Sequence, residues 1–208
     1  MKVLVLGATG GTGRAIVREL RSHGHAPIAL VRSLAAAGNL DATLVQGDAR
    51  EKAALDRALD GCEAVISALG TPMSPFREVA LLSQATRALI AIMKRKGVPR
   101  LICITGLGAG NSRGHGGLLF DRLVMPLLLR KVYADKDRQE TLVSNSTLDW
   151  VLVRPTVLTD KPAQTTFRAL TDLTDLHAGK IARADVATFD VQLLQSDEWL
   201  RQAPLITC

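Results

Sequence analysis

Short, continuously apolar runs alternate along this chain with longer stretches whose apolar residues recur at helical spacing. The first run, Lys2–Leu6, has the pattern of a parallel strand buried on both faces. The stretch after it places Ile16, Val17 and Leu20 on one predicted helix face. Further strands are predicted at 27–31, 42–46, 62–67, 100–104 and 148–154, an edge strand at 204–207, and helices at 51–59, 78–96, 118–130, from 132 and at 181–194. This alternation predicts an α/β fold with a doubly wound parallel sheet.

Glycines follow the first predicted strand at G-x-x-G-x-x-G spacing, at Gly7, Gly10 and Gly13. Glycine lets the backbone turn sharply and approach a pyrophosphate, and the start of the next helix offers unpaired N–H groups. Thr9 and Thr12 add hydroxyl donors. A purely structural turn is the alternative, but the strand–turn–helix context favours a dinucleotide site.

A basic residue ends the second predicted strand. Proteins that prefer NAD have an acidic residue about twenty positions beyond the glycine motif, where it binds the ribose 2′-hydroxyl. This chain has no Asp or Glu between Glu19 and Asp41, and it has Arg32 and Ser33 there instead. A guanidinium with a neighbouring hydroxyl suits a 2′-phosphate, so we expect a roughly ten- to hundredfold preference for NADP over NAD. The alternative for Arg32 is an ordinary surface arginine at a strand end.

Length and composition fit one globular domain. The chain has 208 residues, of which 47% are hydrophobic and 22% are charged. No apolar run approaches the length of a membrane span, and the apolar start leads directly into the glycine motif rather than into a signal-peptide cleavage site. We therefore expect a cytoplasmic protein without a membrane partner.

Cysteine and charge exclude further classes. Cys62, Cys103 and Cys208 are widely spaced and form no C-x-x-C pair, which favours reduced thiols over disulfides and predicts no metal site. The net charge of +6 is scattered, and the densest basic run, 94–96, lies at a predicted helix end, where cations complement the helix dipole. A nucleic-acid partner is not expected.

These motifs together resemble the short-chain dehydrogenase/reductase superfamily, in its extended and atypical branches. The resemblance rests on GATGGTG at 7–13, VRS at 31–33, GDA at 47–49, VRP at 153–155 and RADVA at 183–187. It is strongest to the atypical NAD(P)H-binding group that contains biliverdin-IXβ/flavin reductase and NmrA-like proteins. It implies one Rossmann domain over 1–208 with strand order 3-2-1-4-5-6, and a small substrate-side region formed by 106–131 and 159–180.

The resemblance also implies NADP(H) as cofactor and a set of residues around it. Asp48 would bond the adenine, although its residue type equally suits a cap for the helix near Glu51. Thr105 stands where the superfamily places a hydroxyl against substrate or nicotinamide. The implied cofactor-binding residues are Gly7, Thr9, Gly10, Gly11, Thr12, Gly13, Arg32, Ser33, Asp48, Ala49, Ala68, Leu69, Gly70, Thr105, Lys136, Pro155, Thr156 and Val157.

The catalytic element of the superfamily is Y-x-x-x-K, which this chain matches only in part. Lys136 and Glu140 have the spacing of extended members, but Val132 occupies the tyrosine position and Tyr133 is displaced by one residue, about 100° around a helix. The glycine-rich stretch 106–117 suits a loop that closes on a ligand, and His115 within it is a candidate proton donor. A solvated loop without chemistry is the alternative. The catalytic candidates are therefore Thr105, Lys136 and His115.

A reaction that needs no tyrosine fits this pattern. We expect an NADPH-dependent reductase that passes hydride to a planar conjugated small molecule, such as a flavin, tetrapyrrole or quinone, because such acceptors can take their proton from water. Arg77, Arg113 and Arg168 are hypothesised to receive acidic groups of the acceptor. A non-catalytic NADP(H) sensor with a protein partner, similar to NmrA-like proteins, is the first alternative. A small epimerase or dehydratase is the second.

Overall fold

The apolar run Lys2–Leu6 forms strand β1 in the middle of a mostly parallel sheet. The computed structural model describes residues 1–71, 79–114, 129–164, 166–174 and 179–208. The strands are β1 (Lys2–Leu6), β2 (Ala26–Val31), β3 (Thr43–Gln46), β4 (Ala64–Ser67), β5 (Arg100–Ile104), β6 (Asp149–Pro155), β7 (Val157–Thr159), β8 (Arg168–Leu170), β9 (Lys180–Ala182) and β10 (Leu205–Thr207). The helices are α1 (Gly11–Ser22), α2 (Leu34–Ala37), α3 (Lys52–Ala58), α4 (Leu81–Lys96), α5 (Arg130–Ser144) and α6 (Arg183–Gln192), with a 3₁₀ turn at Gly110–Ser112.

The strand order confirms the predicted doubly wound sheet. The order is β3-β2-β1-β4-β5-β6-β10-β8, and every pair from β3 to β6 is parallel. The order reverses between β1 and β4, so the loops at the carboxyl ends of these strands diverge and leave a crevice there.

The last predicted strand is present, but its expected position at the sheet edge is wrong. Strand β10 pairs in parallel with β6 and antiparallel with β8, so it lies inside the sheet and its residues are buried. The expected substrate-side segment 159–180 supplies β8 to this sheet. In addition, β7 and β9 form a separate two-stranded parallel sheet.

Apolar side chains cover both faces of the central sheet. Helices α1 and α6 pack together on one face, over a core that includes Ile16, Leu20 and Phe189. Helices α3, α4 and α5 cover the other face, with Leu55 and Leu89 in its core. This two-sided burial explains why the central strands are continuously apolar rather than alternating.

The helix boundaries differ modestly from the prediction. Helix α5 begins at Arg130, two residues before the predicted start, and the short helix α2 was not expected. The predicted start of α4 at 78 and all but the last two residues of the predicted apolar helix over 118–130 lie outside the described residues. Within the described ranges, no helix combines the length and hydropathy needed to cross a bilayer.

Candidate functional site

A groove of about 350 Å³ runs along the carboxyl ends of β1, β2, β3 and β4. It lies at the point where the strand order reverses, the usual ligand position in open α/β sheets. The groove is lined by Gly7, Thr9, Gly10, Gly11, Thr12, Gly13, Leu30, Val31, Arg32, Gly47, Asp48, Ala49, Ala68, Leu69, Gly70, Leu81 and Arg183. The structure therefore brings together nearly all the predicted residues from the first half of the chain.

Two glycines shape the turn between β1 and α1. Gly7 has φ +76°, and a Cβ placed on it would collide with the carbonyl of Ala68. A Cβ on Gly13 would collide with the carbonyl of Gly7. The turn thus packs against the end of β4 more closely than any side chain would permit, and it brings the helix start to the groove.

The start of α1 leaves backbone donors without intrahelical partners. Gly10 is the N-cap residue and supplies no side-chain hydrogen bond. The first N–H groups of any helix lack such partners, and together with the helix dipole they attract an anion. With the glycine-lined wall, these donors form a cradle that fits a pyrophosphate.

A cluster of charges lies at the ends of β2 and β3. Arg32 lines the groove, while Ser33 precedes α2 and is not among the lining residues. Arg50 holds the carboxylate of Asp48 through two hydrogen bonds, Nε–Oδ1 at 2.9 Å and Nη2–Oδ2 at 2.7 Å. The hydrogen bonds from Arg50, despite some burial, lower the pKa of Asp48 to about 2, and Arg32 contributes in the same direction. The charge of Asp48 is thereby largely compensated.

The alternative role of Asp48 as a helix cap is wrong. Its Oδ1 accepts the N–H of Arg50, two residues on, which closes a local turn before α3 begins. The N-cap position of α3 belongs to Glu51, whose side chain makes no capping hydrogen bond. The carboxylate instead remains on the groove wall.

A second pocket of about 220 Å³ follows β5 and β6 at the same edge of the sheet. It is lined by Ile104, Thr105, Gly106, Leu107, Tyr133, Lys136, Pro155, Thr156, Val157 and Leu158. The structure thus collects the predicted cofactor-binding residues of the second half in one place, beside an apolar wall that the prediction did not include.

Lys136 and Thr105 are linked to each other and to Glu140. Lys136 donates from Nζ to the carbonyl oxygen of Thr105 at 2.5 Å, and burial lowers the pKa of its ammonium. Thr105 donates its hydroxyl proton to Glu140 Oε1 at 2.6 Å. The hydroxyl proton of Thr105 is therefore engaged by Glu140, whereas the ammonium of Lys136 uses one of its three N–H donors on the backbone.

Tyr133 lines the same pocket as Lys136 despite its displacement from the tyrosine position. Its hydroxyl donates to the carbonyl of Leu107 at 2.8 Å, and Lys136 Nζ lies 5.0 Å from the ring centre. The side chain at the tyrosine position itself, Val132, is buried. The ring of Tyr133 therefore forms a wall, and its proton is committed to the backbone.

A buried ion pair contacts the loop after β5, whose first residues line the second pocket. Arg154 donates to both oxygens of Glu140, at 3.0 Å and 2.7 Å, and its Nη1 donates to Asn111 at 2.5 Å. Gly110 is packed against this pair so tightly that a Cβ there would collide with Glu140 and Arg154. Sequence reasoning matched Glu140 to a motif but gave Arg154 no role, because its partner becomes apparent only in the folded chain.

Of the remaining hypothesised residues, two are among those that the structure describes, and neither lines either of these pockets. Arg113 forms an ion pair with Asp137 on α5, and Arg168, on β8, is not among the residues that line either pocket. Arg77 and His115 lie outside the described residues. Arg183 also lines the groove, although the sequence indicates it only as part of the RADVA segment. No strand is predicted before it, so its position at the end of a strand becomes apparent only in the folded chain.

A family model described as NAD(P)H-binding matches residues 7–197. The chain belongs to this NAD(P)H-binding family. The match covers the glycine turn, both pockets and α6.

Individual proteins are similar to this chain in sequence or in fold. The uncharacterized sugar epimerase YhfK of Bacillus subtilis is 32% identical over 198 residues, which cover 90% of this chain and 85% of that protein. The NAD(P)H azoreductase of Xenophilus azovorans is 31% identical over 156 residues, 74% of this chain and 47% of that protein. The structure of ChuY, an anaerobilin reductase from Escherichia coli O157:H7, superposes with a TM-score of 0.83 at 22% identity and covers 100% of this chain and 97% of that one.

The geometry of the groove, taken without the comparisons, fits a dinucleotide. The uncapped start of α1 and the glycine wall suit a pyrophosphate, and the pocket after β5 and β6 lies farther along the same edge. A bound nicotinamide dinucleotide would supply a hydride for transfer.

Proposed function

We propose that the protein is an NADPH-dependent reductase that passes hydride to a planar conjugated acceptor such as a flavin, tetrapyrrole or quinone. The carrying observation is the pair of pockets along one sheet edge, one lined by the glycine turn and the other walled by apolar side chains. The azoreductase and the anaerobilin reductase among the similar proteins, named for conjugated substrates, support this choice.

The charges in the groove favour NADPH over NADH. Arg32 lines the groove at the end of β2, where proteins that prefer NAD have an acidic residue. Asp48, the carboxylate among the described residues that line this groove, is engaged by Arg50, so it does not cancel the charge of Arg32. A dianionic 2′-phosphate would therefore meet a guanidinium that an NAD ribose does not need.

The second pocket suits a flat acceptor that draws its proton from water. Its wall includes Leu107, Tyr133, Val157 and Leu158. No free hydroxyl points into it from Tyr133 or Thr105, because both protons are donated to other protein groups. The chain's contribution would be stacking and positioning, with Lys136 as a cationic contact.

The test measures NADPH oxidation with FMN, FAD, a quinone and a tetrapyrrole, and then repeats the active pair with NADH and with the Arg32→Ala variant. Sustained turnover is expected with at least one acceptor. The affinity for NADPH should fall roughly ten- to hundredfold in Arg32→Ala, with little change for NADH. Equal losses for both dinucleotides would contradict the role of Arg32, and absence of turnover with every acceptor would contradict the reductase.

A dinucleotide sensor is the second candidate, favoured by Val132 at the tyrosine position and by the engaged hydroxyl of Tyr133. A sensor would bind NADP⁺ and NADPH without turnover and would copurify with a protein partner. The same acceptor panel therefore separates the two functions.

A further inference from the structure

Arg183 covers the glycine turn from a distant part of the chain. It is the first residue of α6, yet its side chain lines the groove next to the start of α1. A Cβ placed on Gly11 would lie 2.9 Å from Arg183 Nε and 3.0 Å from its Cδ. The guanidinium group therefore lies directly beside the cradle of backbone donors.

The ion pair between Arg183 and Asp160 is exposed to water and therefore weak. Arg183 Nη1 donates to Asp160 Oδ1 at 2.8 Å, and the side chain of Asp160 is 86% exposed whereas that of Arg183 is 27% exposed. Among the described residues, the structure gives Arg183 no second hydrogen bond or ion pair. An ion pair this open to water contributes little, so another anion can replace the carboxylate at small cost.

The small two-stranded sheet explains how these residues meet. Strands β7 and β9 are parallel, with Thr159 paired to Ala182, so the next residues, Asp160 and Arg183, leave the sheet at the same end. This end faces the start of α1 through the packing of α6 on that helix. The fold thereby places the guanidinium of Arg183 beside the glycine turn.

The geometry points to Arg183 as a pyrophosphate clamp that leaves Asp160 when the dinucleotide binds. This inference rests on the proposed use of NADP(H). Arg183 adds a side-chain donor to the backbone cradle, and a guanidinium binds phosphate oxygens with paired N–H groups. Asp160 acts as a competitor that holds the arginine while the groove is empty of anions.

The experiment measures dissociation constants of NADP⁺ and of 2′-AMP by calorimetry. The latter has the adenosine 2′-phosphate but no pyrophosphate. The variants are Arg183→Ala, Arg183→Lys, Asp160→Asn and, as a matched control on a distant exposed ion pair, Arg95→Ala, whose partner is Asp56.

Loss of the clamp should weaken the binding of NADP⁺ but not that of 2′-AMP. Arg183→Ala should weaken NADP⁺ about ten- to hundredfold and change 2′-AMP less than about twofold, with Arg183→Lys intermediate. Asp160→Asn should bind NADP⁺ as tightly as the wild type or up to several-fold more tightly, because it removes the competitor. Arg95→Ala, which removes the same charge elsewhere, should match the wild type.

Three results would overturn the clamp. Unchanged NADP⁺ affinity in Arg183→Ala is the first. Equal weakening in Arg183→Ala and Asp160→Asn is the second, since it would mean that the ion pair only supports the fold; thermal midpoints of both variants accompany the binding data. Equal weakening of both probes is the third. A wild-type protein without affinity for NADP⁺ would instead overturn the proposed function itself, and the clamp with it.

Discussion

The ion pairs that individual arginines form in this protein differ sharply in how far they are exposed to water. The side chains of Arg154 and Glu140 are 6% and 7% exposed, so each charge depends on the other for compensation. The side chains of Arg95 and Asp56 are 60% and 42% exposed, and water solvates either one alone. Removing one member of a buried pair leaves an uncompensated charge, whereas removing one member of an exposed pair costs little.

We predict that Glu140→Ala lowers the free energy of unfolding by about 3 to 5 kcal/mol, because it leaves the guanidinium of Arg154 buried and unpaired. Urea denaturation followed by circular dichroism measures the loss. The control, Asp56→Ala, should cost less than about 1 kcal/mol. A similar small loss in Glu140→Ala would show that the pair is solvated in solution.

At the scale of secondary-structure elements, α5 caps the start of α4. Helix α4 has Ala80 at its N-cap and no side-chain cap of its own. The carboxylate of Asp135 on α5 accepts the N–H of Leu82 at 2.8 Å, the N–H of Ser83 at 3.4 Å and the hydroxyl of Ser83 at 2.5 Å. Asp135 is fully buried, so no water can replace these contacts.

We predict that Asp135→Ala costs about 2 to 4 kcal/mol of unfolding free energy, since a cap is lost and buried N–H groups are left without a partner. Chemical denaturation gives the total. Hydrogen exchange should show faster exchange at the first turn of α4, while β1 and β2 keep their protection. A loss confined to less than about 1 kcal/mol with unchanged exchange would contradict the cap.

At the scale of the whole molecule, the two-layered core controls which thiols can react. Cys103 lies in β5 and Cys62 just before β4, both in the core on the α3–α5 face. Burial raises the pKa of Cys103 to about 12 and that of Cys62 to about 11. Cys208 is only half-buried. Thiolates are the reactive form, so the fold protects two of the three thiols.

We therefore predict that an aromatic disulfide reagent near pH 8 modifies Cys208 first, while Cys62 and Cys103 react only when the protein unfolds. The absorbance of the released thiolate gives the number of groups modified and their rates. Cys208→Ser should be almost inert until denaturant is added. Rapid modification of that variant under native conditions would contradict the two-sided core.

The sequence was sufficient for features set by neighbouring residues. Continuous apolar runs indicated β1 to β6 because a strand buried on both faces tolerates no polar alternation. The glycine spacing placed a turn beside Gly7 and Gly13 because side chains there would collide with backbone. Arg32 could be located at the groove because a strand end has a known position in such a sheet.

What the linear chain could not indicate depends on residues far apart in sequence. Arg183 reaches Gly11, Asp135 caps α4, and Arg154 pairs with Glu140 only because helix packing brings these elements together. Likewise, β10 becomes an interior strand because a distant segment pairs with its free edge. Local hydrophobic and steric patterns thus determined the sheet and its glycine turn, whereas tertiary packing decided which charges from distant segments meet, because such meetings depend on three-dimensional distance.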